Sequence, residues 1–405
     1  MDVAERAASL SGNLLLVLNA GSSSLKFDVF AADRDGPRRV IGGAVRDIGR
    51  ERSRFECGER REQRERITDV RAAAEIVLAH LFDERDGPAL RAEDLAATGH
   101  RVVHGGERFS SPVRVTLSVF DALKSLAPLA PLHNPLALAV MEAVGERFPD
   151  LPIIAAFDTA FFRDLPETAR RYAIPAEWSD AHAIRRYGFH GIAHQHLSEV
   201  LRERRAGPRA VTLHLGQGCS AAALLDGRPV DTSMGFTPLE GLVMGTRSGD
   251  IDPGVLLHLA RNGYGWKDLE EGLNRRAGLL GLSGISDDVR ELLEREAEGH
   301  AAAKLALEAF CTRIRKYVGA YAAVLGGLDA IAFGGGIGEN SAEIRERILR
   351  PLAWLGVELD SVANAACAGH AARISTERSS VQVYVVPVDE QPIIARAMID
   401  VLAQR

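Results

Sequence analysis

Three stretches of the chain place glycine and small polar residues directly after an apolar run. They are residues 19–24 (N-A-G-S-S-S), 216–220 (G-Q-G-C-S) and 334–340 (G-G-G-I-G-E-N). Small side chains leave backbone N–H groups open to a ligand, so such loops can surround a phosphate or another oxyanion. In the third stretch the glycines precede a predicted helix, whose dipole also favours an anion. Taken together, the three loops predict a nucleotide held by two domains.

Alternatives remain for each loop taken alone. Residues 19–24 also fit an ordinary serine-rich hairpin, in which the hydroxyls bond their own backbone. Residues 334–340 contain no G-K-[ST] sequence, and their spacing does not match a dinucleotide fingerprint.

Charged side chains stand at the ends of predicted strands and in one long loop. Arg101 lies on a strand that runs into a glycine pair, Asp158 ends a short apolar strand, and Glu390 follows the last strand. Arg247 falls in residues 231–254, the longest stretch without hydrophobic periodicity. An aperiodic loop of this length inside a compact domain is usually functional.

Length and composition indicate a globular enzyme. The 405 residues exceed one core of usual size, so we expect two domains. The net charge of -6 favours neither a nucleic-acid nor a membrane partner. Four cysteines without C-x-x-C spacing predict free thiols rather than disulfides or a zinc site. With no signal-peptide pattern and no apolar run near the roughly 20 residues of a membrane span, we expect a cytoplasmic protein.

Hydrophobic periodicity predicts alternating strands and helices. The charged residues 59–66 are interpreted as a solvated loop or helix face, and Asn340 with Glu343 as a capping box that starts a helix. Strands are expected at residues 14–30 (two, with a turn), 40–45, 52–57, up to the glycine pair 105–106, 152–158, 210–225 (two, with a turn), 328–333 and 381–388. Helices are expected at residues 68–83, 115–125, 136–148, 255–260, 268–274, 287–325, 340–352 and 392–402.

One strand-turn-strand unit occurs twice. Residues 210–225 repeat the form of residues 14–30 when Gly21 is aligned with Gly216, and Asp226-Gly227 then forms the next hairpin turn. The repeat predicts duplicated domains. Chance similarity of two hairpins is the alternative.

The same residues carry a resemblance to the acetate kinases. Residues 18–26 (L-N-A-G-S-S-S-L-K) and 214–220 (H-L-G-Q-G-C-S) are similar to two signature stretches of that family. Residues 100–107, 157–161, 187–191, 234–253, 336–340 and 387–390 also fit, so the match covers nearly the whole chain.

The resemblance implies an α/β fold of two ribonuclease-H-like (actin-like ATPase) domains with a central interdomain cleft. The implied domains are residues 1–157, completed by the C-terminal helix 391–405, and residues 158–390. The implied activity is reversible transfer of the ATP γ-phosphoryl group to acetate or another short carboxylate, with Mg²⁺ (Mn²⁺ as the alternative metal) and a homodimer.

Chemistry explains why such an enzyme needs cations. A carboxylate substrate is already ionised at neutral pH and needs no general base. It must instead approach another anion, so positive charge is required on both sides of the transferring phosphoryl group. Arg101 and Arg247 match the family's site arginines, and His190 matches its donor to the phosphoryl oxygens.

The resemblance implies further roles residue by residue. Asn19, Asp158 and Glu390 would hold the metal, and Asp158 is also counted as catalytic. The substrate's alkyl end would contact Val103, Leu132, Phe189 and Pro238 beside Arg101. The nucleotide would contact Asn19, Ser22, Ser24, Lys26, His214, Gly216, Gln217, Gly218, Asp288, Val289, Arg290, Gly336, Ile337, Gly338 and Asn340, with Arg290 stacking on adenine; His133 is a further site histidine.

Two departures from the family pattern stand out. Gln217 occupies the place of an asparagine in the second phosphate loop, and Phe162 replaces a histidine. We expect the longer amide of Gln217 still to donate to a phosphate oxygen.

Rival functions make different predictions. A propionate kinase differs by one methylene, worth only about 1–3 kcal/mol in an apolar pocket. A sugar or other hydroxyl kinase would need Asp158 as a general base, because an alcohol must lose a proton. A non-catalytic nucleotide switch would not need both arginines, and pyrophosphate could replace ATP if the nucleoside pocket were blocked.

Overall fold

The computed structural model describes residues 12–21, 23–33, 36–85, 87–131 and 133–404. The chain divides into two compact units, Met1–Ala160 with Asp389–Arg405, and Phe161–Val388. The domain boundaries that the resemblance implies stay predictions.

The first unit is built on an eight-stranded mixed sheet in the order β5-β4-β3-β2-β1-β6-β8-β7. Its strands are β1 Leu14–Ala20, β2 Ser24–Asp33, β3 Gly36–Arg46, β4 Arg52–Cys57, β5 Arg60–Glu65, β6 Leu95–Val102, β7 Val113–Arg114 and β8 Ile153–Phe157. Its helices are α1 Val70–Leu81, α2 Leu117–Ser125, α3 Asn134–Arg147 and, from the C-terminus, the last helix Glu390–Ala403.

Local sequence explains the first unit's core. The apolar β1 is buried along almost its whole length, as expected for a strand covered on both faces. Asp69 caps α1 by accepting a hydrogen bond from the backbone N–H of Ala72 (2.9 Å). The buried side chains of α1 recur at helical spacing and pack against the sheet: Val70, Ala73, Ala74, Val77, Leu78 and Leu81.

The second unit contains a six-stranded sheet in the order β11-β10-β9-β12-β14-β13. Its strands are β9 Arg209–Leu215, β10 Cys219–Leu225, β11 Arg228–Thr232, β12 Ala330–Gly334, β13 Ala372–Arg373 and β14 Gln382–Val385. Its helices, in chain order, are α4 Glu167–Arg170, α5 Ala176–His182, α6 Gly191–Glu203, α7 Pro253–Arg261, α8 Trp266–Arg275, α9 Gly278–Ser283, α10 Val289–Ala297, α11 Ala301–Leu325, α12 Gly335–Asn340, α13 Ala342–Leu349 and α14 Ser361–Ala366; the last helix Glu390–Ala403 is α15.

The two sheets share one topology. Each sheet contains an antiparallel hairpin, β1-β2 or β9-β10, and a third antiparallel strand, β3 or β11, pairs with the second strand of that hairpin. On the other side of the hairpin's first strand lie two parallel strands, β6 and β8 or β12 and β14. The spatial order β3-β2-β1-β6-β8 therefore matches β11-β10-β9-β12-β14. The duplicated α/β fold predicted from the repeat is confirmed.

The interpretation of residues 59–66 as a loop or helix face is wrong. Arg60–Glu65 form the edge strand β5, paired with β4 across a turn at Gly58. Neither face of this strand is apolar, so the alternation that signals a strand is missing from its sequence. A dense row of charges is typical of an exposed sheet edge, where it discourages pairing with another chain.

Two helix predictions also need correction. The predicted helix over residues 287–325 is two helices, α10 and α11, separated at Gly299, which adopts a left-handed φ of +92°. The N-cap of α13 is Ser341 rather than Asn340, since the Ser341 hydroxyl accepts from the backbone N–H of Ile344 (3.4 Å). Asn340 instead ends the short helix α12.

None of the helices within the described ranges combines the length and the apolar character that crossing a bilayer requires.

Candidate active site

The predicted residues of the first unit lie where three parallel strands end. Strands β1, β6 and β8 run in the same direction, so their carboxyl ends meet at one edge of the sheet. Asn19 lies near the end of β1, Arg101 near the end of β6, and Asp158 directly follows β8. Lys26 is the cross-strand partner of Asn19 on β2, so it shares this face.

Arg101 joins two carboxylates. Its Nε and Nη2 donate to Asp158 Oδ1 (3.0 Å) and Oδ2 (2.6 Å), a bidentate pair, and its Nη1 lies 3.4 Å from Glu390 Oε2. Asp158 is fully buried, and the Arg101 side chain is only 17% exposed. Burial alone lowers the pKa of Arg101, but the facing carboxylates of Asp158 and Glu390 raise it above its ordinary value. The guanidinium therefore stays charged.

Asn19 completes this cluster. Its Nδ2 donates to Glu390 Oε2 (2.8 Å), which leaves the amide carbonyl oxygen directed elsewhere. Four residues predicted from separate motifs, Asn19, Arg101, Asp158 and Glu390, are thus brought together by the fold.

The cluster's donor atoms fit Mg²⁺ rather than a transition metal. Among the described residues no group of three or more His, Cys, Asp and Glu side chains is arranged to hold a metal ion. Asp158, Glu390 and the carbonyl of Asn19 offer only oxygen atoms. Mg²⁺ is usually held by one or two carboxylates, with waters and substrate phosphates filling its other positions, so this small set is sufficient.

The glycine pair after β6 is clamped to α3. Asn134, the first residue of α3, accepts from the backbone N–H of His104 (3.0 Å) and donates to its carbonyl (2.9 Å). A Cβ on Gly105 would lie 2.6 Å from the carbonyl oxygen of Phe109, so only glycine fits there. The clamp joins the two chain segments that carry Val103 and His133.

Ser22 and Leu132 lie outside the described residues, and their predicted roles stay predictions.

In the second unit, two glycine loops meet at the ends of parallel strands β9 and β12. A Cβ on Gly216 would lie 4.0 Å from the backbone nitrogen of Gly336, so the loops are in close contact. Gly335 has φ of +78°, and a Cβ there would lie 2.6 Å from the carbonyl oxygen of Leu215. The bare backbone that the sequence predicts at residues 216–218 and 334–338 is therefore one continuous surface.

His190 and Arg247 border that surface. A Cβ on Gly218 would lie 3.2 Å from His190 Cε1 and 3.6 Å from Arg247 Nη1. His190 precedes α6 with a left-handed φ of +57°, and its ring lies 4.6 Å, centroid to centroid, from the ring of His214. Two predicted residues from distant parts of the sequence, His190 and Arg247, thus border Gly218, and His214 lies beside His190.

Arg247 is a cation without a carboxylate partner among the described residues. Its Nη1 donates to the carbonyl of Pro238 (3.0 Å) and lies 3.9 Å from Met244 Sδ. Burial lowers the pKa of Arg247 from its ordinary value. A guanidinium that is desolvated but not neutralised by a fixed carboxylate is suited to bind an anion.

The remaining nucleotide-site residues fall into two groups. Asn340 Nδ2 donates to the carbonyl of Gly336 (2.9 Å), so it lies at the glycine surface. Asp288 caps α10 and pairs with Arg290 (2.6 Å), whose side chain is 87% exposed; this pairing lowers the pKa of Asp288. Among the described residues no hydrogen bond joins Asp288 or Arg290 to the glycine surface.

The two departures have structural explanations. Gln217 donates to Asp287 and packs against Gly245, where a Cβ would come within 2.9 Å of its Nε2. An amide nitrogen has two hydrogens, so donation to a phosphate stays a prediction. Phe162 is buried with its ring edge-on to His194 (5.8 Å), and Gly188 leaves room for it.

Two side chains that support the site were missed by the sequence analysis. Ser220 contacts both His190 and His194. Ser220 belongs to the stretch 216–220 but was given no role there, and His194 carries no glycine or charge signal. Two patterns could have found them. His194 follows His190 by one helical turn, and Ser220 lies across the hairpin from His214 on the same face.

A buried carboxyl lies beside the helix that carries Glu390. Arg39 pairs with Asp28 (2.7 Å) and with Asp389, and Asp389 caps α15 by accepting from the N–H of Gln391 (3.2 Å). A Cβ on Gly42 would lie 1.8 Å from Asp28 Oδ1, so glycine makes room for this carboxyl. Burial raises the pKa of Asp28 from 3.8 to about 6.

Replacing Asp28 with asparagine is expected to stabilise the protein at neutral but not at acid pH. A carboxyl whose pKa is higher in the folded state binds its proton more tightly there, so its contribution to stability is lost as pH rises from about 4 to about 6. The uncharged amide avoids this loss, which is on the order of 1–3 kcal/mol. Urea unfolding at pH 4.5 and 7.5 measures it, with exposed Asp33→Asn on the same strand as the control. An advantage for Asp28→Asn that does not grow with pH would contradict the expectation.

Comparisons with known proteins agree with the geometry. The model of the acetokinase family matches residues 14–396. The acetate kinase of Clavibacter michiganensis subsp. michiganensis is 47% identical over 391 residues, which cover 95% of this chain and 98% of that protein.

Solved structures agree as well. The acetate kinase of Porphyromonas gingivalis superposes with a TM-score of 0.87 at 38% identity, covering 96% of this chain and all of that one. A propionate kinase from Francisella tularensis superposes with a TM-score of 0.86 at 36% identity, covering 95% of this chain and 98% of that one. A family model that spans nearly the whole chain, together with relatives that match end to end, shows that the chain belongs to the acetokinase family.

Proposed function

We propose that the protein is an acetate kinase. It transfers the γ-phosphoryl group of ATP directly to acetate: a carboxylate oxygen forms a bond to the γ-phosphorus while the bond from that phosphorus to the bridging β-γ oxygen breaks. The products are acetyl phosphate and ADP, and the reaction is reversible. Membership of the acetokinase family supports this activity.

The observation that carries the proposal is Arg247. It is a desolvated cation next to bare glycine backbone, and no carboxylate of the described residues neutralises it. A triphosphate supplies the missing negative charge, and the guanidinium stabilises the charge on the transferring group. The glycine loops at residues 216–218 and 334–338 provide N–H donors for the other phosphate oxygens.

Arg101 serves the acceptor side. Among the residues that the structure describes, the contacts with Asp158 and Glu390 use three of the five guanidinium hydrogens, and the other two can orient the acetate carboxylate. Asp158 is committed to a bidentate pair with Arg101 and is therefore a poor general base. This arrangement favours a carboxylate acceptor over a sugar hydroxyl, which must lose a proton.

We place Mg²⁺ at Asn19, Asp158 and Glu390, whose oxygen atoms suit it, with Mn²⁺ as the alternative metal. When bound, the ion would neutralise charge on the nucleotide's phosphates. His190 would donate to the transferring phosphoryl oxygens, and Val103, Phe189, Pro238 and Leu132 would contact the methyl group of acetate. The four free cysteines agree with a reducing, cytoplasmic location.

The test offers the purified protein ATP and Mg²⁺ with acetate, propionate, butyrate or glucose. Acyl phosphate is trapped as a hydroxamate, and ADP is measured in parallel. We expect acetate to give the highest kcat/KM, with propionate the nearest competitor because one methylene discriminates weakly. Phosphorylated glucose without hydroxamate would overturn the proposal in favour of a hydroxyl kinase. Product formed with pyrophosphate but not with ATP would overturn the assignment of the donor.

We also propose a homodimer that covers α7 and α8. Neither helix contains a buried residue, and the segment exposes Leu257 (59%), Tyr264 (53%) and Trp266 (70%). Exposed apolar side chains close together in one segment often mark an interface, and a second copy of the chain would cover them.

Replacing both Leu257 and Trp266 with aspartate is expected to give monomers, because a paired interface would then bury two unpaired charges from each copy. Light scattering after gel filtration should give twice 43.7 kDa for the wild type and a single 43.7 kDa chain for the variant. Leu117→Asp, at an 87% exposed leucine outside this segment, is the matched control and should leave the mass unchanged. A wild type that is monomeric at micromolar concentration contradicts the proposal.

A further inference from the structure

A continuous chain of hydrogen bonds runs behind His190. Thr212 Oγ1 lies 2.7 Å from His194 Nδ1, and His194 Nε2 lies 2.7 Å from Ser220 Oγ. Ser220 Oγ lies in turn 2.9 Å from His190 Nδ1. Thr212, His194 and Ser220 are completely buried. These hydrogen bonds therefore connect the buried strand β9 to the candidate active site without passing through solvent.

The direction of these hydrogen bonds follows from what each group can donate. Burial lowers the pKa of His194 to about 3, so its imidazole is neutral and carries one N–H. Among the described residues His194 Nδ1 is the single hydrogen-bond partner of the Thr212 hydroxyl. The hydroxyl proton must therefore point at Nδ1, since otherwise it would be buried without an acceptor.

The donor and the acceptor in each of the other hydrogen bonds then follow. With Nδ1 accepting from Thr212, His194 carries its hydrogen on Nε2 and donates it to Ser220 Oγ. Ser220 accepts that bond and directs its own proton to His190 Nδ1. A His190 ring that accepts at Nδ1 carries its hydrogen on Nε2.

The other ring edge faces the glycine surface. His190 Nε2 lies 3.3 Å from the position a Cβ would take on Gly218, the residue that Arg247 also borders. The left-handed backbone of His190, with φ of +57°, fixes the base of the side chain before α6.

We infer that Ser220, itself held by His194 and Thr212, is a positioning residue that keeps His190 in the tautomer with its hydrogen on Nε2. The neutral imidazole is then already a hydrogen-bond donor aimed at the phosphoryl oxygens. Neither its proton nor its ring has to move when ATP binds. This inference rests on the proposed function for the role of His190, whereas the tautomer itself is a property of the free protein.

The tautomer can be measured directly. Protein labelled with ¹⁵N-histidine is studied by long-range ¹H–¹⁵N correlation spectroscopy without nucleotide or acetate, and His190 is assigned from the spectrum of His190→Gln. We expect the Nδ1 of His190 to give the shift of an unprotonated nitrogen and Nε2 that of an N–H. A wild-type spectrum with the hydrogen on Nδ1 overturns the inference. Because no turnover is involved, this result stands whether or not the protein phosphorylates acetate.

Kinetics of Ser220 variants test the consequence. Ser220→Ala removes the donor to Nδ1, so we expect mixed tautomers and a loss of about tenfold in kcat, with the KM values for ATP and acetate within about twofold. Ser220→Thr keeps the hydroxyl and should restore most of kcat. Ser198→Ala is the matched control, because this buried hydroxyl on α6 bonds the carbonyl of Gly227 and not His190. If Ser220→Ala keeps both the single tautomer and the wild-type kcat, the positioning role is wrong.

Discussion

Replacing Arg247 with alanine is expected to lower kcat for acetyl phosphate formation by about a thousandfold or more, the range found for cationic groups that clamp a transferring phosphoryl group. The guanidinium lacks a carboxylate partner among the described residues, so no fixed ion pair neutralises its charge and it can act on the reacting groups. Within the described part of the chain its removal deprives no buried carboxylate of a cationic partner, so the fold should be maintained. Steady-state kinetics with saturating ATP and acetate measure the effect.

Two controls make this result specific. Arg247→Lys keeps the charge but not the planar fork, so we expect an intermediate loss. Arg295→Ala removes an exposed arginine paired with Glu298 on α10 and should leave kcat unchanged. If the kcat of Arg247→Ala stays within about threefold of the wild-type value while its circular dichroism is unchanged, the assignment of Arg247 as the central catalytic cation is wrong.

Replacing Asp158 with asparagine is expected to lower kcat by at least about a hundredfold, since metal stabilisation of a phosphoryl group contributes several kcal/mol. The change affects two functions together. Arg101 loses its bidentate partner and therefore its fixed orientation, and the oxygen cluster proposed for Mg²⁺ loses one of its two carboxylates. We therefore also expect a higher Mg²⁺ concentration for half-maximal rate, measured by titrating the metal at constant free ATP.

The matched control is Asp164→Asn, an aspartate six residues further along the chain that is 78% exposed and pairs with Arg163. It should change neither kcat nor the metal requirement. An Asp158→Asn variant that keeps kcat within about fivefold and the same metal dependence would show that this carboxylate only supports the structure.

The sequence by itself determined the parts of the protein that depend on neighbouring residues. Runs such as 14–18 and 213–215 require strands, and the glycines that follow require a tight turn, because these preferences act within a few residues. The duplicated sheet, the glycine loops and the strand-end positions of Arg101 and Asp158 followed from such patterns. Errors arose where the local signal was weak, as in the charged edge strand Arg60–Glu65, or ambiguous, as between Asn340 and Ser341 for one helix cap.

The tertiary structure decided which of these side chains meet. Asn19 and Glu390 are separated by 371 positions and still share a hydrogen bond, and no local pattern relates them. The chain segments that pack around an arginine decide whether a carboxylate neutralises it, as for Arg101, or whether it meets no carboxylate of the described ranges, as for Arg247. Ser220 and His194 gained their importance in the same way. Hydrogen bonds and electrostatic forces act over a few ångströms in space, so their partners are fixed only when the long-range packing of strands and helices is complete.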